Sequence, residues 1–255
     1  MIQLLIIKST SRISGIFAAN VTEYNLTPGN SSIFVIIPCF NEASVIRKTV
    51  KDVVEKGYHV IVVDDCSKDN PGKQLKGLPT YYLQHRVNMG QGAALQTGIN
   101  VALKKGAEYL VTFDADGQHD VNDIEGMIQK LKAEQFDIVL GSRFLPGAGG
   151  NISAGRKLLL KSACYVNYLF TGVLLSDAHN GLRVMNRHAA ESIQLKENRM
   201  AHATEILKEI KKHNLKFGEF PVHIHYTDYS KKKGQSLLNS VRIFFDLVLN
   251  KIFDR

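Results

Sequence analysis

The stretch EYLVTFDADGQHDVNDIEGMIQKLKAEQFDIVLGSRF, residues 108–144, reads as a buried strand, an acidic turn, an amphipathic helix and a second buried strand. Both strand segments are apolar without alternation, which is the pattern of strands covered on two faces. A helix between two such strands makes a parallel crossover. Upstream the same alternation repeats. SIFVIIPCF is a β-branched run ended by Pro38, and NEASVIRKTVKDVVEKG is a helix with Val45, Ile46, Val50, Val53 and Val54 apolar and Gly57 as its stop. HVIVVDD and PTYYLQH are further strands, and GQGAALQTGINVALKKG is a helix opened by glycines. Ligands of such sheets bind beyond the carboxyl ends of the strands. Those ends carry Pro38 to Glu42, Asp64 and Asp65, Arg86, Asp114 to Gln118, and Gly141 to Arg143, so the polar chemistry gathers on one rim. After Pro146 come a flexible PGAGGN loop, a long apolar helix RKLLLKSACYVNYLFTGVLL, the turn and short strand DAHNGLRVMN, a helix HATEILKEIKKHN and a strand FGEFPVHIHY.

Within the acidic turn, Asp114-Ala115-Asp116 places two carboxylates two positions apart on one side of an extended chain. Their mutual repulsion calls for a cation. Mg²⁺ or Mn²⁺ suits two carboxylates with Gln118 as a neutral oxygen donor and substrate phosphates completing the shell. The alternative is a solvated acidic turn capping the next helix, a role that Asp120 shares.

Length and composition allow one large or two small domains. The 255 residues, 44% of them hydrophobic, are enough for a full core. A formal net charge of +8 points to an anionic partner such as a nucleotide or a lipid phosphate. Nucleic acid is disfavoured, because the basic residues lack interleaved aromatics. Cys39, Cys66 and Cys164 form no CxxC pair and read as reduced thiols of a cytosolic compartment. The opening MIQLLIIKSTSRISGIF has too short an apolar run to span a bilayer. Its Ile2, Leu5, Ile6, Ile13, Ile16 and Phe17 would share one helical face, so this extension reads as an interfacial helix, a helix packed on the body or a disordered leader.

Taken in order, VIIPCFNE, VIVVDDCSKD, RVNMGQGAALQTGI, DADGQH, IVLGSRF and DAHNGLR resemble family-2 glycosyltransferases of the GT-A fold, nearest the dolichyl/polyprenyl-phosphate mannosyl- and glucosyltransferases. The resemblance spans about Ser32 to Ser236. It implies a Rossmann-like, mainly parallel sheet flanked by helices and an inverting transfer from a UDP- or GDP-sugar. Residues matching Pro38, Phe40, Asn41 and Glu42 hold the nucleotide in that family. Those matching Asp64 and Asp65 meet its base and ribose edge, and those matching Arg86, Gly90 and Gly92 border the pocket. Asp114, Ala115 and Asp116 fall on the diphosphate- and metal-binding motif, with Gln118 as third ligand. Arg143 and Arg156 match the arginines that grip the acceptor phosphate, and Arg183 matches one near both phosphates. The family's serine four residues after the second arginine falls on Leu160, with Ser162 nearby but turned away by helix rotation.

The implied acceptor is a polyprenyl phosphate at the cytoplasmic membrane face. A lipid monophosphate has its second pKa near 6 and is already an anionic nucleophile, so it needs no base. A hydroxyl of a lipid-linked saccharide, the alternative in surface-polysaccharide assembly, would need one. Asp177, Glu205, His119, His179 and His202 are the candidates. Asp177 is read as a catalytic or acceptor-orienting carboxylate, or else as the ion-pair partner of Arg183. A nucleotide-sugar-binding scaffold without turnover is the non-enzyme alternative. The chain divides into an extension over 1–31, a catalytic domain over 32–228 and a basic loop with an amphipathic helix over 229–255. Leu237, Leu238, Val241, Phe244, Phe245, Val248, Leu249 and Ile252 recur there at helical spacing behind Lys231, Lys232 and Lys233. That reads as a peripheral membrane attachment, or as a helix docked on the sheet or in a dimer interface. The loop YTDYSKKKGQS would act as a lid hinged at Gly234, or as a solvated charge run.

Overall fold

The computed structural model describes residues 17–18, 32–149, 154–196 and 202–225. Among them the strands are β1 (Phe17–Ala18), β2 (Ile33–Cys39), β3 (His59–Asp64), β4 (Thr80–His85), β5 (Tyr109–Thr112), β6 (Ile138–Ser142), β7 (Arg183–Asn186) and β8 (Phe217–Pro221). They form one sheet in the order β1-β4-β3-β2-β5-β7-β6-β8. The helices are α1 (Ile46–Glu55), α2 (Pro71–Gln74), α3 (Gln91–Lys104), α4 (Asp123–Ala133), α5 (Ala154–Thr171), α6 (Arg187–Ser192) and α7 (His202–Lys212).

The uninterrupted apolar runs are explained by cover on both faces. Phe34, Ile36, Ile61, Val63 and Leu110 pack with Leu95 and Ile99 of α3 and with Ile206 and Ile210 of α7. The intervening residues Val35, Ile37, Val60, Val62 and Val111 pack with Val50 and Val53 of α1 and with Met127 and Leu131 of α4. Successive side chains of a strand point to opposite faces, so a strand between two helical layers has no polar face to spare. Gly98 lets α3 lie directly on Ile36, because any Cβ there would collide with that side chain. At the end of α1, Gly57 takes a positive φ of 79° and its N–H bonds Val54 O, which is the stop expected of it.

β4, β3, β2 and β5 are parallel, as the crossover pattern requires. The exception positions the site. β7 enters antiparallel between β5 and β6, with Arg183 opposite Thr112 and Asn186 opposite Tyr109. Reversal puts the start of β7, and not its end, at the carboxyl rim, so Arg183 arrives beside the acidic turn. β8 then runs parallel to β6 at the sheet edge. Within the leader, Phe17 departs from the helical reading. Phe17 and Ala18 are extended and pair antiparallel with His85 and Gln84, covering backbone groups that edge strand β4 would otherwise expose. The remaining leader residues lie outside those described, as do the basic loop and the amphipathic stretch beyond residue 225. Among the described residues no helix is long and apolar enough to cross a membrane.

Candidate active site

Immediately after β5 the chain turns through Asp114, Ala115 and Asp116, with Gly117 at φ +71°. Ala115 is buried, and its carbonyl accepts the Thr49 hydroxyl of α1 at 3.1 Å, which ties the turn to the first helix. Asp114 accepts from Gln91 Nε2 at 3.2 Å and from His119 Nε2 at 3.0 Å. Its carboxylate lies against Gly181, where a Cβ would stand 2.6 Å from Asp114 Cγ. Burial pushes the Asp114 pKa up, but the His119 hydrogen bond and the charges of His119, Arg183 and His202 outweigh it and hold the group below the ordinary carboxylate value. Asp116 goes the other way: burial first, and the Asp114 charge second, push it up. Two carboxylates that repel each other across a turn fit a divalent cation in their donor chemistry. Gln118 donates its amide to Asp116 Oδ2 at 2.6 Å, so its carbonyl oxygen is the atom it can offer. Asp114, Asp116 and Gln118 are therefore the residues that could hold a metal.

Arg183 is 2% exposed. Its Nε and Nη1 are buried without a hydrogen-bond partner among the described residues. Burial lowers its pKa while Asp114 and Asp177 act against the shift, and a guanidinium stays charged throughout the neutral range. A buried donor left unpaired costs about 1–3 kcal/mol. Two of them on one cation, in the field of Asp114 and Asp177, are donors that an anion would satisfy.

Asp177 does not pair with Arg183. It forms a two-pronged ion pair with Arg143, Oδ2 accepting Nε at 2.6 Å and Oδ1 accepting Nη2 at 2.7 Å, and Oδ2 also accepts the Arg143 backbone N–H at 3.1 Å. The reason is topological. Arg143 leaves the end of β6 next to the turn that carries Asp177, whereas Arg183 is directed by β7 towards β5. Burial raises the Asp177 pKa, but the Arg143 hydrogen bonds and charge outweigh it and leave the carboxyl below its ordinary value of 3.8. A carboxylate so engaged is poorly suited to take a proton.

On the other side of the rim, Asp64 and Asp65 are buried and committed to the protein. Asp64 accepts from Tyr82 Oη at 2.6 Å, Gln84 Nε2 at 3.0 Å and Ser67 N at 2.8 Å. Asp65 bonds His85 Nδ1 at 2.7 Å and accepts the N–H groups of Met89 at 2.8 Å and Gly90 at 2.6 Å. Both aspartates thereby shape the wall, Asp65 by holding the loop that opens α3. Gly90 has φ +94° there, and Gly92, the second residue of the helix, is buried. Arg86 is exposed at the end of β4. Pro38 is half-buried in β2, Phe40 is 44% exposed at its end, and Asn41, at φ 56°, receives Lys68 N on its side-chain oxygen at 2.9 Å. Glu42 is buried, its backbone carbonyl accepting Val45 and Ile46 N–H, and its charge raises the Asp116 pKa.

Among the other candidates, His202 is buried at the start of α7, and Glu205 accepts Lys196 N at 2.9 Å. His179 and Ser162 are exposed. Arg156 is in the first turn of α5, but its side chain lies outside those described. Sequence reasoning missed Gln91, Thr49, His85 and Gly181. Gln91 and Gly181 lie inside motifs already singled out, so a nearby signal existed; Thr49 and His85 are recognisable only through their partners.

Residues 34–194 match the family model described as glycosyl transferase family 2. The chain is 32% identical to a UDP-N-acetylglucosamine–dolichyl-phosphate N-acetylglucosaminyltransferase of Methanococcus voltae, over 86% of this chain and 96% of that protein. It is also 32% identical to a polyprenol monophosphomannose synthase of Mycolicibacterium smegmatis, over 63% and 64%. Among solved structures, glucosyl-3-phosphoglycerate synthase of Mycobacterium tuberculosis, in complex with Mn²⁺, UDP and phosphoglyceric acid, superposes with a TM-score of 0.62 at 14% identity, covering 89% of this chain and 86% of that one. At that identity the likeness is one of fold, and the fold is GT-A. With its sheet, its acidic turn and its family match in agreement, the chain belongs to glycosyl transferase family 2.

Proposed function

We propose that this chain is a metal-dependent, inverting glycosyltransferase that moves a sugar from a nucleoside diphosphate sugar to a polyprenyl phosphate at the cytoplasmic face of a membrane. One observation carries the reading: Arg183 is a buried cation in the field of Asp114 and Asp177, and its Nε and Nη1 have no hydrogen-bond partner among the described residues. Phosphate oxygens match those donors in charge. The dolichyl-phosphate and polyprenol relatives supply the acceptor class. The Mn²⁺ and UDP in the glucosyl-3-phosphoglycerate synthase complex support the metal and the donor class.

In this mechanism an oxygen of the lipid phosphate attacks the anomeric carbon from the face opposite the leaving diphosphate. A carbon–oxygen bond forms as the bond to the nucleoside diphosphate breaks, which inverts the centre. Arg183 receives the charge that develops on the departing phosphate, and a group fixed before reaction spends no reorganisation energy in doing so. Arg143, oriented by Asp177, holds the acceptor phosphate, and Arg156 supports it from α5. A divalent ion held by Asp114, Asp116 and Gln118 would supply further charge neutralisation at the diphosphate. Asp65 and the α3 loop, with Pro38, Phe40, Asn41, Glu42 and Asp64, form the nucleoside side of the pocket. Proton abstraction is unnecessary, consistent with the engagement of Asp177 by Arg143. Peripheral membrane contact is supported by α5, which exposes Tyr165, Tyr168 and Leu169 on one side, and by the exposed Leu174 beyond it.

The test is product analysis with UDP- and GDP-sugars, with and without Mn²⁺, and a prenyl phosphate as acceptor. An acid-labile lipid-phosphate sugar formed only with the metal is the expected result. An acid-stable product on a hydroxyl acceptor, or nucleotide binding indifferent to the cation, refutes the proposal.

A further inference from the structure

We infer that Glu219, on β8, is the positioning residue for Arg143, fixing the Ser176–Asp177 turn and through it the direction of the guanidinium fork. The inference rests on the acceptor-phosphate role proposed for Arg143.

Glu219 collects four hydrogen bonds from two consecutive residues. Ser176 N lies 3.0 Å from each carboxylate oxygen, Ser176 Oγ 2.7 Å from Oε1 and Asp177 N 3.3 Å from Oε1. An ionised carboxylate only accepts, and that sets the direction of every bond behind it. The Ser176 hydroxyl spends its proton on Glu219, so the Ser142 hydroxyl, 2.5 Å away, donates to Ser176. Ser142 Oγ in turn accepts the Phe144 N–H at 3.2 Å. One directed chain therefore runs from the Phe144 amide through Ser142 and Ser176 to Glu219. Its first two members flank Arg143 in sequence. Asp177, whose own N–H is held by Glu219, grips Arg143 at both backbone and side chain.

The sheet explains why a residue so distant in sequence serves here. Glu219 pairs with Leu140 in the β6–β8 register, two residues before Ser142. Two neighbouring parallel strands thus deliver the arginine and its anchor to the same end. Helix α5 joins the assembly through Cys164, whose sulfur accepts Ala178 N at 3.3 Å. The turn at 176–178 is thereby linked to β6, β8 and α5, the elements that carry Arg143, Glu219 and Arg156.

A residue that merely stabilises the turn would affect all kinetic constants alike or none. A positioning residue changes what Arg143 holds. In the full-length protein, assayed with a nucleotide sugar and farnesyl phosphate, Glu219→Gln should raise the acceptor KM by about tenfold, with the donor KM unchanged. Adding Glu219→Gln to Arg143→Lys should cost little more than Arg143→Lys alone, because two residues acting as one unit are not additive. Ser176→Ala, which removes the relay hydroxyl but keeps the carboxylate, should show the same acceptor-selective loss to a smaller extent. Equal changes in both KM values, or fully additive losses, overturn the inference. Unfolding measurements separate it from the proposed function. If Arg143→Lys leaves the acceptor KM intact, the acceptor assignment falls. Non-additive stabilities of Glu219→Gln and Asp177→Asn would still support the coupling, and additive ones would refute it.

Discussion

Replacing Gly181 by alanine tests how tightly the acidic turn is held. A Cβ at residue 181 would stand 2.6 Å from Asp114 Cγ and 2.7 Å from Oδ1, and closer still to Oδ2. Ordinary contact begins near 3.4 Å, so something must move by at least about 0.8 Å (3.4 against 2.6 Å). The backbone is poorly placed to yield. Gly181 O accepts the Thr112 hydroxyl at 2.6 Å, and Leu182 O accepts Gly141 N at 2.9 Å. The carboxylate of Asp114 must therefore swing out, away from Gln91 and His119. A displacement near 1 Å of a group that positions reactants costs on the order of 10²-fold in rate. Overpacking costs about 1–3 kcal/mol, or roughly 2–12 °C in Tm for a chain of this size. Gly181 does not have a positive φ, so backbone strain adds nothing. The measurements are kcat with saturating donor and Mn²⁺, nucleotide affinity with and without the cation, and thermal unfolding. An alanine variant that folds and turns over within about threefold of the wild type would show that Asp114 is not held where the reaction needs it.

Further outcomes follow from the same geometry. Arg183→Gln should lower kcat/KM by at least about 10²-fold, the scale of a lost transition-state donor, and should weaken nucleotide binding measured by calorimetry. Asp177→Asn breaks a buried pair and should cost about 3–5 kcal/mol in denaturant unfolding. The pH dependence has a definite sign. The folded pKa of Asp177 is depressed, so its contribution is complete above the ordinary value of 3.8 and lost as pH falls through the folded value. The wild type should show this acid-side loss, and the asparagine variant should lack that component. Gly98→Ala, by contrast, presses on Ile36 in the core between β2 and α3. It should lower stability by about 1–3 kcal/mol while leaving KM values unchanged.

The polar rim was legible because its motifs are local. DADGQH follows β5 directly, and the strand, turn and helix around it are encoded in consecutive residues. The central parallel strands were legible for the same reason, since apolar runs alternating with helical spacing permit little else. The partner of Asp177 was not. Sequence proximity favours Arg183, six residues away, yet the pair is made with Arg143, 34 residues away, because β6 ends where the Asp177 turn begins. For Asp64 and Asp65 the resemblance implied contacts with the base and ribose edge, and the structure adds that Tyr82, Gln84 and His85 of β4 bond these carboxylates.

The sequence by itself determined the α/β class, the rim on which polar residues gather, and the acidic turn, because each depends on periodicity or spacing within a short segment. Only the tertiary structure decided that β7 runs antiparallel beside β5, that Arg183 is buried there with donors unpaired among the described residues, and that Glu219 and Asp177 orient Arg143. These depend on which strand ends meet across the sheet, and hydrogen bonds between distant segments leave no periodic trace in the chain that forms them.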